Sequence, residues 1–239
     1  MPLPNVFILT GAGVSAESGL STFRDKDGLW SRYKVEEVAS IEGYRRDRVR
    51  VLEFYNLRRN FHVDAKPNPA HAALAKLQQH WEARGGVVTL CTQNIDNLHE
   101  QAGSRRVIHM HGELAKARCH DCGDVTLASG DLSLNLACAA CGRTGAIRPH
   151  VVWFGETPLE MDAIHDALAA SNLFVSIGTS GSVYPAAGFV RAARQARIAT
   201  MEINLEPSEN AEAFDVARYG KASEATPAWV DEMIGSFAG

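Results

Sequence analysis

The 239-residue chain has no surplus of positive charge: 24 lysines and arginines stand against 28 aspartates and glutamates, a formal net charge of -4. That balance gives no general reason to expect nucleic acid or an anionic membrane as a partner. A basic stretch is also missing ahead of the N-terminal apolar run, "MPLPNVFILTGAG". The run is far too short to span a bilayer and lacks a cleavage region, so residues 5–10 read as the first core strand of a cytoplasmic protein. There is no internal repeat and no low-complexity segment. With 46% hydrophobic residues, the chain can bury a substantial core, as one large domain or a large domain with a smaller insert.

Four short apolar runs, "NVFILT", "GVVTLCTQN", "LFVSIGTS" and "IATMEINLEP", resemble buried parallel strands ending in small or polar residues. Helix-like segments lie between them, such as "NPAHAALAKLQQHWEARGG", where Pro69 suits a helix start and Gly85-Gly86 a stop. The alternation predicts an α/β fold with a parallel sheet, and ligand groups gather at the ends of such strands. Residues 25–66, charged, aromatic and helical, interrupt it, as do residues 115–148, loop-rich and carrying four cysteines. These two insertions are expected to form a smaller domain, leaving 1–24, 67–114 and 149–239 to the larger one.

"CHDCG" and "CAACG" place Cys119, Cys122, Cys138 and Cys141 as two C-x2-C pairs fifteen residues apart, each followed by glycine. This is zinc-ribbon spacing. A glycine tolerates positive φ, so each knuckle can turn its two thiolates toward one point, and two knuckles close a tetrahedral site. Four protein ligands leave no position for substrate, so the expected metal is structural. Two disulfides are the competing arrangement, but nothing suggests secretion and a chain this large does not need them. Cys91 stands apart, at the end of an apolar run, and reads as a packed thiol.

The first strand leads into "GAGVSAESGLSTFR". Gly11 and Gly13 let the backbone approach a pyrophosphate, although the spacing is not G-x-G-x-x-G and bare glycine turns are common. Glu17, Phe23 and Arg24 would be unusual in a purely structural turn and suggest a loop that folds over its ligand. "TQNIDNLHEQAG" sets Gln93, Asn94 and Asp96 at a strand terminus, suited to gripping a ribose or carboxamide, or simply to capping a helix. "VIHMHGEL" offers His109 and His111. Strand alternation would put both on one face, so spacing does not choose between them as general base. "HVVWFGE" and "GTSGSVYPAAGF" read as turns or as edges that accept an extended peptide. In "FYNLRR", Tyr55 and Arg58 are three apart and would project side by side from a helix, but Arg59 is also within one turn.

Taken in order, "GAGVSAESGLSTFR", "TQNID", "HMHGEL", the paired knuckles, "VVWFGE", "GTS" and "NLEPS" resemble the sirtuin family of NAD-dependent protein lysine deacylases, from residue 5 to about residue 225. The pair Tyr55 and Arg58 resembles the Y-x-x-R of a bacterial class with desuccinylase and deacetylase activity. The resemblance implies a Rossmann-type domain, with NAD as co-substrate and an acylated lysine segment of a protein meeting in a cleft beneath a zinc-ribbon and helical domain. It implies His111, rather than His109, as the base that takes a proton through the nicotinamide ribose hydroxyls, with Asn94 as its catalytic companion. Gly11, Ala12, Gly13, Glu17, Phe23, Arg24, Gln93, Asn94, Ile95 and Asp96 match cofactor-binding positions. Gly178, Thr179 and Ser180 match the phosphate and ribose loop, Asn204, Leu205 and Glu206 the adenosine ribose, and Ala222 lies near adenine. Val152, Trp153, Phe154, Gly155 and Glu156 match the peptide-binding segment. Ala16 matches a small residue beside the acyl chain, and Tyr55 with Arg58 would favour succinyl- or malonyl-lysine over acetyl-lysine. Ser21 departs from a position that is often proline in the family.

The expected reaction transfers the acyl group to ADP-ribose and frees nicotinamide. Three other functions use part of the motifs: a mono-ADP-ribosyltransferase, an NAD-linked oxidoreductase, and a noncatalytic NAD- or peptide-binding module.

Overall fold

Val6–Thr10 (β1), buried at every position and apolar up to its terminal threonine, is a central strand around which the larger half of the molecule is built. The structure, a computed structural model, describes residues 3–20 and 33–237. Three helices follow, Val35–Val38 (α1), Ile41–Arg46 (α2) and Arg48–His62 (α3), then Pro69–Glu82 (α4), Val88–Thr92 (β2), Leu98–Gln101 (α5) and Val107–His109 (β3). Gly112–Cys119 (β4), Val125–Leu127 (β5) and Ile147–Val151 (β6) come next. Met161–Ala169 (α6), Leu173–Ile177 (β7), Phe189–Gln195 (α7), Ala199–Asn204 (β8), Val216–Tyr219 (β9) and Ala222–Ser236 (α8) complete the described chain.

Six strands form one parallel sheet in the order β3-β2-β1-β7-β8-β9. All four runs read as buried parallel strands lie in it. The order reverses between β1 and β7, the position at which doubly wound sheets open a crevice at their carboxyl ends. Apolar side chains cover both faces: Ile8, Leu74, Trp81, Leu90, Val175 and Trp229 pack on the α4 and α8 side. Phe7, Leu9, Phe174, Ile164 and Phe189 pack on the α6 and α7 side.

Local chemistry sets the elements that frame the crevice. Asn68 caps α4 by accepting from Ala70 N (2.9 Å), Pro69 occupies its first turn, and Gly85, at φ +75°, follows its end. Asp47 caps α3, accepting from Arg50 N at 3.0 Å. The second sheet, antiparallel and ordered β5-β4-β6, joins α1–α3 around its own core of Val38, Leu52, Phe54, Tyr55, Leu114 and Trp153. Among the described residues, no helix is long and apolar enough to cross a membrane.

Candidate active site

The loops after β1 and β7 meet at the strand-order reversal. Gly13 N donates to Gly178 O (2.8 Å) and Gly11 N to Ile177 O (3.0 Å). A Cβ at Gly11 would lie 2.8 Å from Gly178 O, and one at Gly13 2.8 Å from Gly178 Cα, while Gly178 itself sits at φ +64°. Both loop glycines thus have a packing reason, loop against loop, that spacing alone did not show. Asn204, at the end of β8, donates through Nδ2 to Thr179 O (2.7 Å), and Leu205 and Glu206 stand exposed beyond it. Glu17 has a second role as an anchor: it accepts from both Ser223 N (2.9 Å) and Ser223 Oγ (2.8 Å), tying its loop to the first turn of α8 beside Ala222. Phe23, Arg24 and Ser21 lie outside the described residues.

A buried polar knot lies beneath these loops. The Ser15 hydroxyl donates to Asp96 Oδ2 (3.1 Å) and accepts from Asn94 Nδ2 (3.1 Å), with His71 Nε2 at 3.4 Å. Asn68 N donates to His71 Nδ1 (3.3 Å), so the proton of neutral His71 is on Nε2 and points at Ser15. Burial pushes His71 down to about 4 and His99, bonded to Thr10 Oγ1 at 3.0 Å, well below the usual imidazole range. Burial also raises the Asp96 carboxyl, opposed by its bonds from Leu98 N and Ser15. Asn94 reaches Gly11 O as well (3.1 Å), so it links the β1 and β2 loops. Ser15, His71, His99 and Thr10 escaped the sequence reading, because a serine in a glycine loop and two helical histidines have no spacing that announces a contact.

The two histidines of "HMHGEL" have opposite settings. β3 ends at His109, and His111 lies in the turn that follows, so the expected shared face does not exist. His109 Nε2 is 2.7 Å from Glu100 Oε1 and its Nδ1 3.4 Å from Asn94 O, both acceptors. Burial opposes charge on His109, but the Glu100 carboxylate prevails and raises its pKa. His111 is lowered by burial, partly offset by the Gln93 carbonyl. Its Nδ1–H donates to Gln93 O (3.0 Å), and a carbonyl can only accept, which leaves the Nε2 lone pair without a partner among the described residues. Of the pair, His111 is therefore the one that stays neutral with an open acceptor nitrogen.

Across the cleft, α3 and the segment after β6 build an aromatic wall. Tyr55 is buried and its hydroxyl accepts from Trp153 Nε1 at 2.9 Å. Arg58 lies beside it, its guanidinium carbon 5.8 Å from the Tyr55 ring centroid. Burial raises the Tyr55 phenol and lowers Arg58, whose charge Tyr55 and Asp96 support. Arg59 turns elsewhere, toward Gly130 O at 3.1 Å. Val152 N donates to His111 O (2.9 Å), and Phe154, exposed, bridges to Ser40 in a parallel sense. Gly155 follows at φ +90°, and Ala16 is exposed at the β1 loop. Ile95 joins the two regions through its carbonyl, which accepts from Leu114 N at 2.8 Å.

The four cysteine sulfurs lie within 4.8 Å of one another. Cys119 and Cys141 are 3.8 Å apart, and Cys122 and Cys138 3.7 Å. Disulfides would need about 2.05 Å. A tetrahedral zinc with bonds of about 2.3 Å has sulfur–sulfur edges of about 3.8 Å, so the set fits a structural zinc ion.

The Sir2 family model matches residues 11–185. An "NAD-dependent protein deacylase" of Caulobacter vibrioides is 61% identical over 229 residues, 96% of each chain. Among solved structures, a Sir2 homologue mutant in complex with ADP-ribose aligns at TM-score 0.87 and 37% identity, covering 98% of this chain and 93% of that one. A Sir2 homologue–NAD complex aligns at TM-score 0.86 and 37% identity, covering 97% of this chain and 90% of that one.

Proposed function

The chain belongs to the Sir2 family, and on that premise we propose that it removes acetyl groups and acidic acyls such as succinyl or malonyl from protein lysines, releasing nicotinamide and O-acyl-ADP-ribose. It is an NAD-dependent protein deacylase. The observation that carries the assignment of the base is the open Nε2 of a neutral His111, two residues from a histidine whose nitrogens both face acceptors.

NAD, when bound, supplies a ribose carbon bearing a cationic leaving group. Amides, a carboxyl, hydroxyls and an imidazole converge at the strand-order reversal, a donor and acceptor set suited to it. Gly11, Ala12, Gly13, Gly178, Thr179 and Ser180 hold phosphates and ribose, with Glu17, Phe23 and Arg24 from the β1 loop. Asn204, Leu205, Glu206 and Ala222 take the adenosine end. Gln93, Asn94, Ile95 and Asp96 orient the nicotinamide ribose and carboxamide. His111 Nε2 accepts the proton of a ribose hydroxyl, the step for which a base that stays neutral near pH 7 is suited. Val152, Trp153, Phe154, Gly155 and Glu156 receive the lysine-bearing segment, and Ala16, Tyr55 and Arg58 surround its acyl group. Arg58 then meets a distal carboxylate through a charge-assisted hydrogen bond. The division into a larger domain of residues 1–24, 67–114 and 149–239 and a smaller one of 25–66 and 115–148 is likewise proposed, with Leu114, Val151 and Trp153, near its boundaries, packed in the core of the smaller sheet.

Incubation with NAD and one lysine peptide in acetyl, succinyl and malonyl forms, read by mass spectrometry, tests this. The expected products are free nicotinamide, deacylated peptide and O-acyl-ADP-ribose in equal amounts. Reduced nicotinamide would point to an oxidoreductase, a protein-bound ADP-ribose to a ribosyltransferase, and unconsumed NAD to a binding module.

A further inference from the structure

Trp153 and Tyr55 are 98 residues apart in sequence, yet the indole N–H reaches the phenol oxygen inside the protein. Trp153 is 2% exposed and Tyr55 3%. Behind the indole lies Arg148, 5% exposed, with its guanidinium carbon 3.3 Å from the Trp153 ring centroid. Glu156 fixes that guanidinium from two sides, Oε1 to Nη1 at 2.7 Å and Oε2 to Nη2 at 2.9 Å. The same carboxylate accepts from Trp153 N at 2.8 Å, so backbone and ring of the tryptophan are both held by one ion pair. Burial alone would raise the Glu156 carboxyl, but the bond from Arg148 holds it below its usual range.

The consequence falls on one proton. A phenol oxygen can accept and its hydrogen can donate, whereas an indole N–H and a guanidinium only donate. Trp153 donates to the Tyr55 oxygen, and the Arg58 guanidinium lies beside the ring, its carbon 5.8 Å from the centroid. Among the described residues, then, the hydrogen-bond partner of the Tyr55 oxygen is a donor and cannot take its hydrogen. A buried donor left without an acceptor is costly, and a ligand that brings acceptors removes the cost.

We propose that Trp153, clamped by Arg148 and Glu156, is a positioning residue for acyl selectivity: its N–H occupies the acceptor side of the Tyr55 hydroxyl and so commits the hydroxyl proton to the acyl group. An anionic acyl end offers several lone pairs to that proton and to Arg58, and a methyl end offers none. The inference rests on the acidic-acyl reading above and adds to it a residue that acts through Tyr55.

The test is the ratio of kcat/KM for succinyl and acetyl forms of one peptide, in wild type, Arg58→Met, Tyr55→Phe, Trp153→Phe and the Tyr55→Phe/Trp153→Phe double variant, each checked for zinc content and cooperative unfolding. Trp153→Phe keeps a ring under Arg148 while removing the N–H together with part of the indole, which is why folding is checked beside the ratio. The ratio is expected to fall roughly two- to tenfold in Trp153→Phe. It is expected to fall no further in the double variant than in Tyr55→Phe alone, because the tryptophan has nothing left to orient. If Trp153→Phe does not fold, Arg148→Lys, which loosens the stack and keeps the indole, carries the same expectation against Tyr55→Phe. An unchanged ratio in Trp153→Phe beside a lowered one in Arg58→Met would overturn the inference and leave the acidic-acyl reading standing. Full additivity in the double variant would overturn it as well. An unchanged ratio in Arg58→Met would remove both.

Discussion

The polar knot at the strand ends and the aromatic wall opposite it solve one problem, holding buried polar groups, in different ways. In the knot, Ser15, Asn94 and Asp96 come from loops that follow strands and satisfy one another across two such loops, with His71 of α4 and His99 of α5 packed beneath them. In the wall, the contacts join α3 to the segment after β6, and an ion pair behind them sets their direction. The knot is anchored to a six-stranded sheet and the wall to a three-stranded one whose far end is tied by cysteines. On the proposed reading, reaction and selectivity draw on different elements, so each can be tested by its own substitution.

The hardest blow to the wall comes through the metal. Cys119 ends β4 opposite Ile147 of β6, the strand that leads to Trp153. In Cys119→Ser, zinc is expected to leave and the smaller sheet to lose its tie; structural zinc contributes on the order of 10 kcal/mol in small zinc-bound peptides. Turnover should collapse while NAD binding, supported by the larger sheet, declines less. Metal analysis and NAD titration check this, and wild-type protein purified without stoichiometric zinc would refute it.

The knot has its own weak point in His111. His111→Ala should lower turnover by about 10²- to 10⁴-fold with NAD binding largely kept. His109→Gln should cost far less, since both nitrogens of His109 already face acceptors and none is free for chemistry. Because burial lowers His111, the neutral form persists into mild acid, and the acidic limb of kcat/KM should lie below the ordinary imidazole value of about 6.5. Equal losses in the two variants would mean that the difference in setting has no catalytic meaning.

How much of this could be read in advance differs between the regions for a physical reason. Four of the six strands, β1, β2, β7 and β8, were legible because they are continuous apolar runs, whereas the short β3 and the mostly exposed β9 carry no such signal; α4 was legible because Pro69 and Gly85 mark its ends. The four cysteines were legible because a knuckle fixes its ligand spacing within five residues. Arg148, by contrast, looks like any surface arginine until Glu156 and Trp153 fold around it, and neither Ser15 nor His71 carries a pattern that predicts their meeting. Spacing alone left His109 and His111 equivalent and only the family resemblance chose His111; that β3 ends at His109 and leaves His111 in the turn was not legible.

A smaller effect, of pH, comes from buried histidines in both regions, His71 of the knot and His62 of α3, each held at about 4 by burial. His71, held at about 4 by burial, resists protonation when folded and accepts it near 6.5 when unfolded. Its contribution is intact above 6.5 and is lost as pH falls toward 4, about 2 kcal/mol at pH 5, with His99 adding in the same direction. His109 works the other way, its stabilisation present below its ordinary value and lost as pH rises. Thermal unfolding at pH 7 and pH 5 should show a Tm lower by about 4–8 °C in acid, whereas an equal or higher Tm would contradict the buried neutral histidines.

The most direct test of the division between reaction and selectivity is kcat/KM for succinyl and acetyl versions of one peptide, in wild type and Arg58→Met at saturating NAD. The account predicts that wild type favours succinyl and that Arg58→Met lowers the succinyl-to-acetyl ratio about ten- to a hundredfold, the worth of one charge-assisted hydrogen bond. The substitution should do this mainly through the succinyl substrate, because His111 keeps its bond to the Gln93 carbonyl. A ratio that does not move, or a loss shared equally by both substrates, would contradict it.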